Sequence, residues 1–240
     1  MSRVRADVLL VTRGLAESRA KARAAIEAGG VTADGVRVVK PSDLIEESAA
    51  LELVPPHPWV SRGGVKLAHA LDVFGVDPAG RVCLDIGAST GGFTQVLLSR
   101  GATRVFAVDV GHGQLHPSVA GNPRVISLER TDARALGRSQ ITEPPSLIVC
   151  DVSFIGAAKA LAAPLSLAAE HADLVVLIKP QFEAGPGKGG GVLAEDDALA
   201  AAAEAIRALD GAADFHLVAQ TGSPIRGGDG NLEILAHFRR

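Results

Sequence analysis

The chain carries four charged residues whose positions suit proton-transfer chemistry. Asp151 follows the apolar run 147–150, and Lys179 follows the apolar run 174–178. A lysine directly after five apolar residues is unusual, because a buried ammonium group is costly unless it is paired. We therefore expect Asp151 and Lys179 to lie side by side at the ends of neighbouring strands. The complete set is Lys66, Asp151, Lys179 and Glu233.

Such a group could activate a weak nucleophile. A lysine amine can accept or share the proton of an attacking hydroxyl when desolvation and a second cation, here Lys66, disfavour its charged form. The carboxylates of Asp151 and Glu233 would hold the two ammonium groups and offset their mutual repulsion. The alternative is two ordinary salt bridges, and for Lys66 and Glu233 considered singly that alternative stays open.

A glycine-rich turn follows the predicted strand 81–86. Its glycines allow a ligand to approach the backbone closely and allow a tight turn into a helix. The spacing matches neither the dinucleotide fingerprint nor the phosphate-binding loop. Asp85 would repel a pyrophosphate and attract a sulfonium or ammonium ligand. The candidate ligand-binding residues here are Asp85, Gly87, Ala88, Ser89, Gly91, Gly92 and Phe93.

Two further acidic residues follow the next two predicted strands. Asp109 could accept two hydrogen bonds from a ribose diol, and Asp132 could accept one from an adenine amino group. With Asp85 they match S-adenosylmethionine, whose methyl sulfonium would have to be aligned with the attacking hydroxyl of a ribose. Strand-end acids that cap a following helix would explain any one of these residues, but they account less well for all three in order.

Alternating strand and helix patterns must position these residues. From residue 63 onward the predicted strands are 81–86, 104–108, 124–128, 147–150, 173–178, 216–219 and 232–238, and the predicted helices are 65–74, 91–100, 155–161 and 195–209. Strands separated by helices indicate an α/β fold with a Rossmann-like, doubly wound and mostly parallel sheet. Such sheets bind ligands outside the carboxyl ends of their strands, where the charged residues occur.

Residues 1–54 have the pattern of a small α/β domain. Its predicted elements are helices at 7–13 and 19–28 and strands at 31–32, 36–39 and 51–54. An Asp-Gly pair between the first two strands indicates a hairpin. Three prolines within 55–58 break both helix and strand, so we place a linker at 55–62 and the larger domain at 63–240.

The first domain concentrates positive charge that the net charge of −3 conceals. A basic face on one small domain is what attraction to a phosphate backbone requires. The residues predicted to bind RNA are Arg3, Arg5, Arg19, Lys21 and Arg23. Taken alone, such a cluster is more commonly an ordinary solvated helix face.

The remaining composition argues against several classes of protein. Cys83 and Cys150 lie in apolar runs and cannot build a disulfide framework, which favours buried thiols in a reducing compartment. The seven histidines show no metal-ligand spacing, so no metal is expected. Charges interrupt the apolar stretches well before the ~20 residues of a membrane span, and the N-terminus does not resemble a secretory signal. We expect a cytoplasmic protein.

Several blocks of this sequence, in order, resemble the TlyA family, also called haemolysin A-like. That family joins an FtsJ-type methyltransferase domain to an RNA-binding domain like that of a small-subunit ribosomal protein, and the resemblance covers nearly the whole chain. The blocks are Trp59-Val-Ser-Arg-Gly-Gly-Val-Lys66, Leu84-Asp-Ile-Gly-Ala-Ser-Thr-Gly-Gly-Phe93, Asp109-Val-Gly-His-Gly-Gln-Leu115, Asp151-Val-Ser-Phe154, Lys179-Pro-Gln-Phe-Glu183 and Gly230-Asn-Leu-Glu233.

The resemblance implies a reaction and assigns roles. The Lys-Asp-Lys-Glu catalytic tetrad of the family falls on Lys66, Asp151, Lys179 and Glu233, and the implied activity is 2′-O-methylation of cytidine in ribosomal RNA. The termini are short, which favours the large-subunit RNA as substrate. The glycine-rich segment 181–191 resembles a mobile loop that would close on RNA, although an ordinary surface loop is an equal alternative.

Three other functions remain as alternatives. The first is an inactive methyltransferase fold that acts as an RNA-binding ribosome-assembly factor, against which the intact tetrad argues. The second is a membrane-lytic protein, although the sequence shows neither a spanning segment nor a basic amphipathic helix of membrane-surface type. The third is methylation of a different RNA or of a small molecule, and the basic N-terminal domain favours a large RNA instead.

Overall fold

The apolar side chains form separate cores in two units, Met1–Pro58 and Trp59–Arg240, called the N-terminal unit and the C-terminal unit below. The computed structural model describes residues 2–27, 29–54, 57–184 and 191–240. Two residues of the predicted linker, 55 and 56, lie outside the described residues. Its later part belongs to the C-terminal unit, because Trp59 packs against the core there.

Two helices and two small antiparallel sheets make up the described part of the N-terminal unit. In chain order its elements are β1 (Arg3–Arg5), α1 (Ala6–Thr12), α2 (Arg19–Glu27), β2 (Val31–Ala33), β3 (Val36–Arg37), β4 (Leu44–Glu46) and β5 (Leu51–Leu53). The predicted hairpin turns at Asp34 and Gly35, which both have positive φ angles, 49° and 76°, as a two-residue hairpin turn requires. The β1–β4 pair was not predicted, since three-residue strands are too short to show a period.

The C-terminal unit alternates strands and helices. Its described elements are α3 (Arg62–Phe74), β6 (Val82–Ile86), α4 (Gly92–Ser99), β7 (Arg104–Val108), α5 (Pro117–Ala120), β8 (Val125–Leu128), β9 (Leu147–Cys150), α6 (Ala157–Ser166), β10 (Asp173–Ile178), α7 (Pro180–Glu183), α8 (Glu195–Leu209), β11 (His216–Gly222) and β12 (Ile234–Arg239). The predicted strands are all present, with ends that differ by a few residues at most. The short helices α5 and α7 were not predicted, and α6 starts later and runs further than expected.

The strands form one sheet in the order β11-β12-β10-β9-β6-β7-β8. The five strands from β10 to β8 are parallel, and β12 and β11 add an antiparallel edge. The prediction of a doubly wound, mostly parallel α/β sheet is confirmed. The strand order reverses between β6 and β9, and in such sheets this switch point, at the carboxyl ends of the strands, is where ligands bind.

Helices cover both faces of this sheet, which explains why its strands are continuous apolar runs. Cys83, Val149 and Val175 face one side and pack with α3 and α4. Their chain neighbours Leu84 and Ile148 face the other side and pack with α6 and α8. Both cysteines are buried free thiols, as expected. In the described residues, no helix is long and apolar enough to cross a membrane.

A charged network closes the amino-terminal end of β10. The carboxylate of Asp173 accepts hydrogen bonds from Arg81 Nη1 (2.8 Å), His237 Nε2 (2.7 Å) and Arg239 Nε (2.8 Å). Burial by itself would raise the pKa of Asp173, but the bonds from His237, Arg81 and Arg239 hold it well below its usual range. Because the folded-state pKa is lowered, this carboxylate stabilises the fold above about pH 4, and the contribution is lost as pH falls further.

We predict that Asp173→Asn lowers the free energy of unfolding at pH 7 by about 2 kcal/mol, since it leaves Arg81 and His237 with a poorer partner. Urea titration measures this value. The control is Asp72→Asn, which breaks the more exposed ion pair with Arg100 and should cost less than about 1 kcal/mol. Equal losses in the two variants would contradict the prediction.

Candidate active site

The register of the central strands brings the four predicted catalytic residues to one end of the sheet, where the parallel strands have their carboxyl ends. The last pair of the β10–β12 ladder is Ile178 with Ile234, so Lys179 and Glu233 lie directly beyond it. On the other side of β10, Val176 is paired with Cys150, the residue before Asp151. Lys66 reaches the same group from α3 through its ion pair with Glu233.

Lys66 and Glu233 form a buried ion pair. Lys66 is 6% exposed and Glu233 is 3% exposed, so neither charge would be tolerated without the other. Gly227 leaves room for this carboxylate, because a Cβ atom at that position would lie 2.8 Å from Glu233 Oε1. Any larger residue at position 227 would displace Glu233, a constraint that the sequence did not reveal.

Lys179 forms the second pair. Its Nζ lies 2.6 Å from Asp151 Oδ1 and donates a hydrogen bond of 2.9 Å to Ser153 Oγ. An ammonium group has three donors, and among the described residues these two contacts account for two of them. One N–H therefore remains for a ligand oxygen. The pair is less buried than the first, with side-chain exposures of 12% for Lys179 and 20% for Asp151.

A cavity of about 520 Å³ opens beside Asp151, at the carboxyl ends of the strands. Five predicted residues line it: Gly87, Ser89, Asp109, Asp132 and Asp151. A smaller cavity of about 120 Å³ adjoins it and is lined in part by Ala88, Gly92 and Phe93. Its volume places the larger cavity within the range of about 300–1,000 Å³ that is usual for small-molecule sites.

Gly87 lets the strand end approach Asp151 closely. Its φ angle is 85°, and a Cβ atom there would lie 2.6 Å from the backbone oxygen of Asp151. Only glycine satisfies both conditions. Gly91 differs, since it lines neither cavity. A Cβ atom there would meet the side chains of Val119 and Leu115. The role of Gly91 is to begin α4, with a φ angle of 91°.

The carboxylates of Asp109 and Asp132 both reach the larger cavity but are held differently. Asp109 accepts backbone hydrogen bonds from Ser89 (2.8 Å) and Gly111 (2.7 Å), which fixes the turn after β6 to the turn after β7. Asp132 lies beyond the end of β8 and is paired with Arg134, whose hydrogen bonds lower the pKa of Asp132 to about 2. A carboxylate has about four lone-pair positions, so the two bonds to Asp109 leave about half of them free, whereas the three N–H groups that Arg134 donates to Asp132 leave about one.

Asp85 departs from the prediction that its carboxylate faces a ligand. It is fully buried, lines neither cavity, and lies on the strand face that Cys83 shares, under α4. Thr94 Oγ1 donates to Asp85 Oδ2 at 2.6 Å, while Oδ1 has no hydrogen-bond partner among the described residues. Burial raises the pKa of Asp85 to about 7, because its effect outweighs that of the hydrogen bond from Thr94, which lowers the pKa.

Glu129 is a site residue that the sequence did not reveal. Its carboxylate accepts backbone hydrogen bonds from Gly113 (2.8 Å) and Gln114 (3.0 Å), and His112 Nδ1 lies 3.2 Å away. These contacts hold the segment 111–115, whose Gly111 and Gln114 line the larger cavity. The segment belongs to one of the motifs of the sequence, but nothing in the sequence links it to an acid fourteen residues beyond its end.

Phe154 also lines the larger cavity, and the sequence predicts no site role for it beyond its place in the block that begins at Asp151. Its side chain is 91% exposed, and its φ angle of 68° is rare for a residue with a side chain. The ring lies 5.1 Å from the ring of Phe182 in α7. An exposed aromatic ring held in a strained conformation at the rim of a cavity favours a role in ligand contact over a role in packing.

The neighbouring glycine-rich segment is only partly described. Residues 185–190 of the predicted mobile loop lie outside the described residues. Its first residues, 181–183, instead belong to helix α7. Glu183 Oε1 there accepts a hydrogen bond of 2.9 Å from the backbone of Ala157, at the start of α6.

The residues predicted to bind RNA lie in the N-terminal unit. Arg5 and Arg19 are both paired with Asp7, and Lys21 is paired with Glu17. Arg3 and Arg23 are exposed. Among the described residues, no group of His, Cys, Asp and Glu side chains could hold a metal ion.

We predict that Asp85→Asn changes stability in a pH-dependent way. Because the folded-state pKa of Asp85 is about 7 and its unfolded value is about 3.9, wild type loses stability as pH rises between these values, whereas the asparagine variant does not. Urea unfolding at pH 5 and pH 8 measures the free energy of unfolding. The value for the variant should rise relative to the value for wild type at pH 8. Asp77→Asn, at a turn, is the control. A difference that does not vary with pH would contradict the assignment.

Known proteins similar to this chain match both units. Residues 59–240 match the model of the FtsJ-like methyltransferase family, and residues 4–51 match the S4 domain. The 16S/23S rRNA (cytidine-2′-O)-methyltransferase TlyA of Mycobacterium tuberculosis is 45% identical over 99% of this chain and 90% of its own length. The 23S rRNA (cytidine-2′-O)-methyltransferase TlyA of Campylobacter jejuni is 37% identical over 75% of this chain and 70% of its own length.

Solved structures agree with these matches. A Streptococcus thermophilus protein that carries a hemolysin designation is 38% identical, covers 100% of this chain and 89% of its own, and superposes with a TM-score of 0.76. The N-methyltransferase NodS of Bradyrhizobium japonicum, solved with S-adenosyl-L-homocysteine, shares the fold at 18% identity and a TM-score of 0.53, over 77% of this chain and 88% of its own. The chain therefore belongs to the FtsJ-like methyltransferase family, is related to the TlyA proteins and has an S4 domain at residues 4–51.

Proposed function

We propose that this chain transfers a methyl group from S-adenosylmethionine to the 2′-hydroxyl of a cytidine in ribosomal RNA. The observation that carries the proposal is the meeting of two lysine–carboxylate pairs, Lys66–Glu233 and Lys179–Asp151, at one end of the sheet beside a cavity. Both TlyA relatives above are named for 23S rRNA, and one is also named for 16S rRNA. We therefore propose large-subunit RNA as a substrate and the cytoplasm as the location.

The larger cavity fits the methyl donor in size and in chemistry. Gly87 allows a ligand to approach the end of β6, and Asp109 and Asp132 offer acceptors for ribose and adenine groups. The bound donor would supply an electrophilic methyl group and a neutral thioether as leaving group. What the protein has to supply is alignment of the hydroxyl and a path for its proton.

Lys179 and Asp151 provide that path. The remaining N–H of the Lys179 ammonium can bind the hydroxyl oxygen and orient it. Before the new carbon–oxygen bond forms, Lys179 gives one of its protons to Asp151, 2.6 Å away. The neutral amine that results can turn about its carbon–nitrogen bond, and its free lone pair then takes up the hydroxyl proton as the bond forms. The proton then leaves from the partly exposed Asp151 to solvent, so the charge of the lysine is unchanged at the end of the step.

Lys66 and Glu233 support this pair as a fixed charge couple. Their burial and mutual contact leave little freedom to move, and they fix the charges at this end of the sheet without lining either cavity. Phe154 offers an exposed ring at the rim, and stacking of a base on an aromatic ring contributes about 1–3 kcal/mol per base. An unstacked cytidine is thus a suitable substrate for this surface.

We predict that Lys179→Ala lowers methyl transfer to ribosomal RNA by at least about 100-fold, the usual contribution of a proton-transfer group. Transfer of tritium from labelled S-adenosylmethionine to large-subunit RNA measures the rate. Lys159→Ala, which removes an exposed lysine of α6, should keep wild-type activity. If wild type transfers no more label than Lys179→Ala, the proposed methyl transfer is contradicted and the assembly-factor alternative replaces it.

Glu129 generates a second prediction. Glu129→Gln should weaken the hold on segment 111–115 and raise the dissociation constant for S-adenosylmethionine about tenfold, equivalent to ~1.4 kcal/mol, because Gly111 and Gln114 line the cavity. Isothermal titration calorimetry measures this constant. Glu170→Gln, at an exposed position, is the control. An unchanged constant for Glu129→Gln would show that the segment does not contribute to the methyl-donor site.

A further inference from the structure

Asp7 is a buried carboxylate within the basic part of the N-terminal unit. It is only 1% exposed, although it lies in the first turn of α1, between the basic residues that the sequence predicts to bind RNA. Carboxylates are rarely buried unless they are paired. The groups that pair with Asp7 therefore indicate its role.

Two guanidinium groups bind this one carboxylate. Arg5 donates from Nε to Oδ1 at 2.9 Å and from Nη2 to Oδ2 at 3.1 Å, in the two-bond arrangement that suits a carboxylate. Arg19 donates to Oδ2 from Nη2 at 2.8 Å and from Nε at 3.3 Å. Hydrogen bonds from Arg5, and then from Arg19, hold the pKa of Asp7 far below its usual range despite burial.

The outer donors of both arginines remain available. Each guanidinium has five N–H groups, and two on each side chain face Asp7. Arg5 is 42% exposed and Arg19 is 60% exposed at the side chain. The cluster thus has a net charge of +1 and two planar groups oriented by a common buried anchor. The nearby Lys21–Glu17 pair has no such anchor, because both side chains are more than half exposed.

We propose that Asp7 is a positioning residue that orients Arg5 and Arg19 as a rigid pair for the phosphates of the RNA backbone. The proposal rests on the proposed action on ribosomal RNA and on the RNA binding that the sequence predicts for the N-terminal unit. A guanidinium already held by a buried carboxylate loses less side-chain freedom when it binds a phosphate. The residue acts through the two arginines and does not contact RNA itself.

This role and simple electrostatics predict opposite effects of removing the negative charge. A carboxylate near phosphates repels them, so its loss should strengthen RNA binding if charge alone matters. If Asp7 orients the arginines, its loss should weaken RNA binding. Glu17 provides a matched comparison, since it also pairs with a predicted RNA-binding residue but is exposed.

The test measures the affinity of the full chain for purified large-subunit ribosomal RNA by filter binding. We expect Asp7→Asn to weaken binding about three- to tenfold, and Glu17→Gln to leave it unchanged or slightly stronger. The affinity for S-adenosylmethionine should be the same in both variants. Stronger or unchanged RNA binding by Asp7→Asn would overturn the inference, whereas a wild-type chain that does not bind the RNA would overturn the RNA binding predicted for the unit.

Two further sets of variants keep the test decisive if Asp7→Asn perturbs folding. Arg19→Lys keeps the charge but not the two-bond geometry, so we expect a severalfold loss of RNA affinity where a charge effect alone predicts none. In the background Arg5→Gln with Arg19→Gln, adding Asp7→Asn should cause no further loss. Wild-type affinity of Arg19→Lys, or an equal additional loss in that background, would show that Asp7 does not act through the arginines.

Discussion

Burying a charged side chain is costly unless an opposite charge accompanies it, and the polar parts of this structure depend on that constraint. Lys66 and Glu233 are tolerated inside the C-terminal unit because they neutralise each other. Lys179 is tolerated directly after the five apolar residues of β10 because Asp151 lies beside it. Asp85 meets the same constraint in another way, since its pKa of about 7 lets it carry a proton near neutral pH.

Strand β10 shows how the sheet separates stability from chemistry. The sheet is covered by helices on both faces, so the side chains between the two ends of the strand are apolar and buried. Charged groups can lie only at the ends. At the amino end, Asp173 binds Arg81, His237 and Arg239 in a network that stabilises the fold. At the carboxyl end, Lys179 retains a donor that can act on a ligand.

Charge pairing serves a different purpose in the N-terminal unit. There the anion, Asp7, is buried while its partners Arg5 and Arg19 remain partly exposed. Pairing in the C-terminal unit hides both charges of Lys66 and Glu233. In the N-terminal unit it leaves a net positive surface with a defined geometry, which is suited to a polyanion whose backbone presents evenly spaced charges.

The sequence by itself determined the order of the elements and the residues at the strand ends, because period-two and period-3.6 patterns and chain breaks are local properties. The candidate tetrad as a set came from the resemblance to a known family. It did not determine which way a residue faces or what it contacts at long range. Asp85 was expected to face a ligand and instead lies under α4, and Glu129 and the Asp7 cluster were not foreseen at all. Strand register and helix packing decide such contacts, and both depend on the whole core, which no short stretch of sequence encodes.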